Sequence, residues 1–232
     1  MIAMVHSVGE NIVFFLFVAG MVVIGIVSSL RQNRMRWQRP KEMGSLAERL
    51  GFDDFNPDPD EGFAAGWGFL NRLSQGSDRY AFNVLRGTYH EQPLFIFDYH
   101  YQTGSGKNTT EHNLTMFMFV EKEAFPQLTI GPETLSQKIE TALGLGDEIK
   151  FESAEFSRTF SVRSKDKKFA YHVCNPQMID YLLANRELAV EIQGPVILLA
   201  FEPQLPVEQI EFNLQRLIEI RTRLPEYLFT NS

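Results

Sequence analysis

The chain is poor in several things whose absence narrows its reading. It has one cysteine in 232 residues, Cys174, so no intramolecular disulfide framework exists and the composition suits a reducing compartment. It has no Gly-x-Ser-x-Gly elbow, no His-Glu-x-x-His pair and no Gly-x-Gly-x-x-Gly turn, which removes the commonest signatures of serine hydrolases, zinc peptidases and dinucleotide-binding enzymes. It has no repeat of solenoid length and no low-complexity tract. Positive charge is scarce over residues 43–232, with 17 Lys and Arg against 27 Asp and Glu. Such an acidic body argues against a nucleic-acid partner, because phosphate-backbone binding needs a positive surface.

What is present is concentrated at the N-terminus. Ile12 to Leu30 is an uncharged run of nineteen residues, thirteen of them Ile, Leu, Phe or Val. As a helix it would measure roughly 28 Å, near the ~30 Å hydrocarbon thickness of a bilayer, and insertion would be favoured by about 4 to 8 kcal/mol. It reads as a transmembrane helix. Arg31, Arg34, Arg36, Arg39 and Lys41 follow it, whereas only Glu10 and His6 are ionisable just before it. That asymmetry predicts an extracytoplasmic N-terminus and a cytoplasmic body, and a retained anchor rather than a cleaved signal. Trp37 suits the headgroup layer, and the cations fix topology. The small residues Gly20, Gly25 and Ser29 offer close helix contact within the span. On this topology the Asn-x-Thr sequons at Asn108 and Asn113 are chance.

The expected organisation is a short extracytoplasmic segment at 1–11, the span at 12–30, a basic juxtamembrane linker at 31–44 and a cytoplasmic α+β domain at 45–232. About 190 residues suffice for one hydrophobic core. Ser45 to Leu50 reads as one or two helical turns. The acidic stretch Asp53 to Glu61 invites a calcium reading, but an EF-hand loop counted from Asp54 would place Pro59 where glycine is needed and Ala65 where glutamate is needed. Helix capping explains it better: Asp58 as N-cap, Pro59 at N1 and Glu61 at N3 open a helix to Ser74. Phe63, Trp67 and Phe69 give that helix little polar face. Burial in the domain's own core is the plain reading, and contact with lipid or a partner the alternative.

Period-two alternation predicts strands over Ala81 to His90, Leu94 to Gln102, Asn113 to Val120 and Gln127 to Ile130. Phe95, Phe97, Tyr99 and Tyr101 share one face, opposable by Leu114, Met116, Met118 and Val120. Apolar residues on the other face predict a second cover. A helix over Glu133 to Leu143, a short strand at Ile149 to Phe151, a strand over Phe156 to Val162 and helix from Lys167 to Ala184 interrupted at Pro176 come next. Two strands, Leu188 to Ile192 and Val196 to Phe201, turn at Gln193-Gly194-Pro195. The chain closes with a long C-terminal amphipathic helix whose stripe of Val207, Ile210, Leu214, Leu217 and Leu224 is broken only by Arg221. Glu219 and Arg223 form an i,i+4 pair on its exposed side. Mainly antiparallel hairpins with packed helices define an α+β domain behind a transmembrane helix.

Candidate chemistry is sparse. Gly104-Ser105-Gly106-Lys107 lacks the upstream glycine and downstream hydroxyl of a phosphate loop and joins two strands, so it reads as a hairpin loop. His90, His100 and His112 lie at strand ends with Asp98 beside His100, but His112 should face with Tyr101, opposite His100, so no metal set converges. Cys174 and His172, two apart on a helix, point away from each other. No cofactor and no metal site is expected.

Three phrases, Leu46-Ala47-Glu48-Arg49-Leu50-Gly51, Phe97-Asp98-Tyr99-His100-Tyr101 with Thr103-Gly104-Ser105-Gly106-Lys107, and Glu155-Phe156-Ser157-Arg158, together resemble a family of uncharacterised bacterial membrane-anchored domains. The resemblance spans most of residues 45 to 225. It implies bacterial origin, hence an inner-membrane location, and transfers no catalytic residue. The expectation is therefore a single-pass, non-enzymatic protein-interaction domain, an accessory or scaffold subunit of a larger membrane complex of respiratory or photosynthetic type. It would contact the lipid bilayer and an integral membrane protein through Gly20, Gly25, Ser29, Arg31, Arg34, Arg36, Trp37, Arg39, Phe63, Trp67 and Phe69. The alternatives are a lipid- or small-ligand-binding module and an enzyme centred on Asp98 and His100.

Overall fold

The computed structural model describes Met21, residues 38–133 and residues 146–230. The chain divides into two units, Met1–Ser45 and Leu46–Ser232. Residues 38–50 are helical, α1.

Among the described residues the second unit has six antiparallel strands: β1 (Asp54–Asn56), β2 (Ser77–Tyr89), β3 (Gln92–Thr103), β4 (Thr110–Pro132), β5 (Phe160–Ser164) and β6 (Val190–Phe201). β1 to β5 pair in chain order, and β6 pairs with β4. β4 organises the sheet. Its first half is flanked by β3 and β6 and its second half by β5 and β6, so Met116 lies between Phe97 and Ala200 and Leu128 between Ser164 and Ile192.

The expected pairs of short strands are thus corrected to two long ones. The third and fourth expected strands are the two halves of β4, and Gln193-Gly194-Pro195 is an irregularity inside β6, where Gly194 pairs with Phe125 between two register shifts. Glycine at φ +56 supplies the local twist. The expected strand over Phe156 to Val162 is corrected as well. Ser153 Oγ accepts the Phe156 N–H at 3.2 Å and caps α4 (Ala154–Thr159), so β5 starts only at Phe160. Local capping overrides alternation there. The expected helix over Glu133 to Leu143 lies, beyond Glu133, outside the described residues.

The expected helix from Pro59 to Ser74 is two short ones, α2 (Glu61–Gly66) and α3 (Asn71–Ser74). Its N-cap is Asp60 rather than Asp58, because Asp60 also exchanges backbone hydrogen bonds with Ala81 on β2 while its Oδ1 accepts the Phe63 N–H at 2.7 Å. Ala64, Leu70 and Leu73 of this segment close over Phe97, Tyr99, Leu114, Met116, Val196 and Leu198. Leu94, Ile96, Phe117, Phe119, Ile197 and Leu199 are buried on the opposite face. α5 (Lys167–Val173) and α6 (Pro176–Ala184) precede β6, and α7 (Ile210–Arg223) buries Ile210, Leu214, Leu217 and Ile220.

The transmembrane part of the expected fold class, and with it the single-pass membrane assignment, is corrected. Among the described residues no helix is long and apolar enough to cross a membrane. The physical reason is length and pattern: the 14-residue α7 would be ~21 Å long against ~30 Å of hydrocarbon, and one of its faces is charged. The apolar run at 12–30 lies, Met21 apart, outside the described residues.

Candidate functional site

Three elements meet at one rim of the sheet around a cavity of about 240 Å³, lined by Tyr89, His90 and Gln92 of the β2–β3 turn, Phe119 and Glu121 of β4, and Arg221 and Thr222 of α7. The turn is tight because Tyr89 pairs directly with Gln92, leaving His90 and Glu91 as its two central residues. Both have positive φ, 47° and 65°, the geometry of a type I′ hairpin turn. That turn usually carries Asn-Gly. Non-glycine residues held there store local strain, a feature that clusters at binding sites.

The opposite wall carries an ion pair. Arg221 Nε lies 3.0 Å from Glu121 Oε1, and Nη2 lies 3.4 Å from Oε2. The Glu121 side chain is 2% exposed and that of Arg221 26%, so the pair is largely withdrawn from water while one edge of the guanidinium stays accessible. The guanidinium also sits 4.1 Å over the Phe229 ring, which holds its plane. Tyr89 packs on Phe119 at a centroid distance of 5.7 Å and against His90 at 4.3 Å. Donors, acceptors and aromatic surface therefore converge on one small space. Two larger depressions, one bordered by Gln177, Asp180, Tyr181 and Glu219 and the other by Glu61, Ala65, Asp78 and Arg79, lack an aromatic wall joined to a desolvated ion pair.

The Asp98 and His100 region is buried polar structure. Asp98 is 0% exposed; it accepts hydrogen bonds from Asn83 Nδ2 at 2.8 Å and Thr115 Oγ1 at 3.1 Å. His100 is stacked on Tyr80 at 4.8 Å and its Nδ1 lies 3.1 Å from Asn113 Oδ1. His112 faces with Tyr101, its ring stacked on the phenol at 4.4 Å and its nitrogens 2.8 Å from Thr103 Oγ1 and from Glu202 Oε1. The register of β3 against β4 separates these two histidines onto opposite faces, and among the described residues no group of His, Cys, Asp and Glu is arranged to hold a metal ion. Cys174 is buried, and desolvation pushes its thiol up to about 12.

Of the residues expected to meet lipid or a partner, Gly20, Gly25, Ser29, Arg31, Arg34, Arg36 and Trp37 lie outside the described residues. Arg39 is helical and 4% exposed. Phe63 and Trp67 are half-buried against the core, and Phe69 is 43% exposed. Tyr89, Glu121 and Arg221 did not stand out in the sequence as a site, since 100 residues separate the ion-pair partners. One signal pointed to them: Arg221 is the charge that interrupts the apolar stripe of α7.

The fold and this rim define a helix-flanked antiparallel-sheet domain with a small polar and aromatic pocket. No family model and no curated protein matches the chain. Among solved structures it is similar to the crystal structure of the mycobacterial trehalose monomycolate transport factor A, TtfA, at 17% identity and a TM-score of 0.57, over 80% of this chain and 96% of that one. At that identity the likeness establishes a shared fold.

Proposed function

We propose that this chain is a non-catalytic lipid-binding module, an accessory factor in lipid transport, that receives the polar end of a lipid in the rim pocket. What supports the reading is the similarity of fold over nearly all of a protein named as a trehalose monomycolate transport factor. The pocket supports it, because a small space with a few polar groups beside aromatic surface suits an amphiphile's head better than its tail. The aromatic side chains of the sheet pack as core, so acyl chains would lie along the surface beside the rim.

The experiment is native mass spectrometry of the full chain after incubation with micelles containing a trehalose monoester or phosphatidylglycerol. Retention of one lipid per chain, lost on excess unlabelled competitor, is the expected result. Retention of neither lipid overturns the reading.

A second reading, a protein-interaction domain, is favoured by Phe212, which is 60% exposed on α7 with the Arg216 guanidinium 4.6 Å over its ring. It predicts a co-purifying protein that is lost in Phe212→Glu, with no lipid retained.

A further inference from the structure

We propose that the rim pocket selects an uncharged polyol, a single sugar-sized headgroup, and that Glu121, Arg221 and Tyr89 are its recognition residues. The proposal rests on the lipid-binding reading and names the chemistry of the head that the module takes.

Size comes first. A cavity of about 240 Å³ is below the ~300 to 1,000 Å³ of pockets for drug-sized ligands; it has room for one ring, and any further ring of a head stays outside the rim.

Charge comes second. The Glu121–Arg221 pair brings a carboxylate and a guanidinium together, so the polar wall has no net charge. A phosphate placed there would gain Arg221 but would face the carboxylate of Glu121, which is 2% exposed and poorly screened by water. Neutral hydroxyls meet no such opposition. Each is both donor and acceptor, and the pair offers both kinds of partner side by side: the N–H groups of Arg221 beyond the two on Glu121, and the carboxylate lone pairs those two leave free. Adjacent hydroxyls of a sugar match that alternation.

The aromatic wall comes third. Tyr89, packed on Phe119 at 5.7 Å, gives the pocket a flat apolar side, which complements the C–H face of a pyranose and offers nothing specific to a compact ionic head. The walls are also pre-set. Arg221 is held over Phe229 at 4.1 Å, and the two-residue turn at His90 and Glu91 fixes the backbone beside Tyr89, so little ordering remains to be done on binding. Retaining a largely buried ion pair at this rim is poor economy for stability alone, since two desolvated charges commonly do no better than apolar residues of similar volume.

The test is a two-dimensional NMR titration of the full chain with methyl α-D-glucopyranoside, α,α-trehalose and sn-glycerol 3-phosphate. Saturable shifts at Tyr89, Gln92, Glu121 and Thr222 are expected with either sugar, with Kd on the order of 1–10 mM for so small a ligand. Glycerol phosphate should bind at least tenfold more weakly. Tyr89→Ala and Glu121→Gln should each weaken sugar binding about tenfold with the amide spectrum otherwise retained. Tyr89→Phe, which keeps the ring, should weaken it less than threefold, and Glu219→Gln on the exposed side of α7 should leave it unchanged. Preferential binding of glycerol phosphate, or sugar shifts that survive Tyr89→Ala and Glu121→Gln, overturns the proposal. Lipid retained in the mass-spectrometric experiment without any response to either sugar overturns this proposal and spares the lipid-binding reading; sugar binding without lipid retention does the reverse.

Discussion

The carboxylate of Glu191 on β6 caps the helix that starts at Asn71. Its Oε1 accepts the Asn71 N–H at 2.5 Å and its Oε2 the Arg72 N–H at 3.0 Å, so two amides that a continuous helix from Pro59 would have bonded to preceding carbonyls are held by a side chain 120 positions away. The side chain is almost wholly buried, and desolvation raises its pKa above the ordinary 4.5 despite those two bonds.

A pH dependence with a definite sign follows. A carboxyl whose folded pKa lies above its unfolded one holds its proton longer in the native state. Its contribution to stability is therefore full below about pH 4.5 and falls as pH rises through the folded pKa. Thermal melts of the natural chain and of Glu191→Gln across pH 4 to 8 should show the stability difference between them moving against the natural chain as pH rises. A difference that grows in favour of the natural chain over that range would show that the two amide bonds outweigh desolvation.

Asp98 is bonded by Asn83 and Thr115, and the Leu205 N–H in turn donates to Thr115 Oγ1 at 3.0 Å. Replacing Asp98 by Ala strands buried donors on neighbouring strands and should cost about 2–3 kcal/mol. Urea denaturation measures this. Thr115→Val should be non-additive with it, because both remove the same bond.

Two glycines with similar backbone angles should respond differently to alanine. Gly51 has φ +73 with nothing within 4 Å of an added Cβ, whereas at Gly76, φ +63, that atom would lie 2.1 Å from the Gln102 carbonyl oxygen and 2.9 Å from Tyr101 Cδ2. Gly51→Ala should cost about 1–2 kcal/mol, the strain of the left-handed region alone. Gly76→Ala must also push the α3–β2 junction off β3 and should cost at least twice as much, read from paired thermal melts.

Cys174 should be inert in the folded chain. With its thiol pushed up to about 12 by burial, almost none is thiolate at pH 8, and the thiolate is the reactive form. Iodoacetamide should label it in urea and leave it unmodified in buffer over the same hours, as intact-mass measurement would show.

Much of the sheet was legible because alternation along a strand reports its two faces directly. Phe97, Tyr99 and Tyr101 against Leu114 and Met116 lie where period two puts them, and the pairing of Tyr101 with His112 agrees with the expected separation of His112 from His100. The stripe of α7 was equally readable. Boundaries were not, wherever a distant partner decided them. Gly66 and Gly68 beside Trp67 mark where α2 ends, but nothing nearby says that a new helix starts at Asn71, because the group that caps it is Glu191. Nothing at Gln193-Gly194-Pro195 says that the strand continues, because both its halves pair with β4.

The pocket belongs to the same class. The amino-acid sequence by itself determined the composition of the two sheet faces, the amphipathic stripe of the last helix, the lone unpaired cysteine and the acidic balance of the body, all properties set by residues within a few positions of one another. Tertiary structure alone decided that Arg221, out of place on an apolar stripe, finds Glu121, and that a strained turn at His90 brings Tyr89 beside them. The physical reason is that a charge can leave water only where a counter-charge or hydrogen-bonding groups compensate it, and the backbone pairing that brings Arg221 and Glu121 together is a property of the whole sheet.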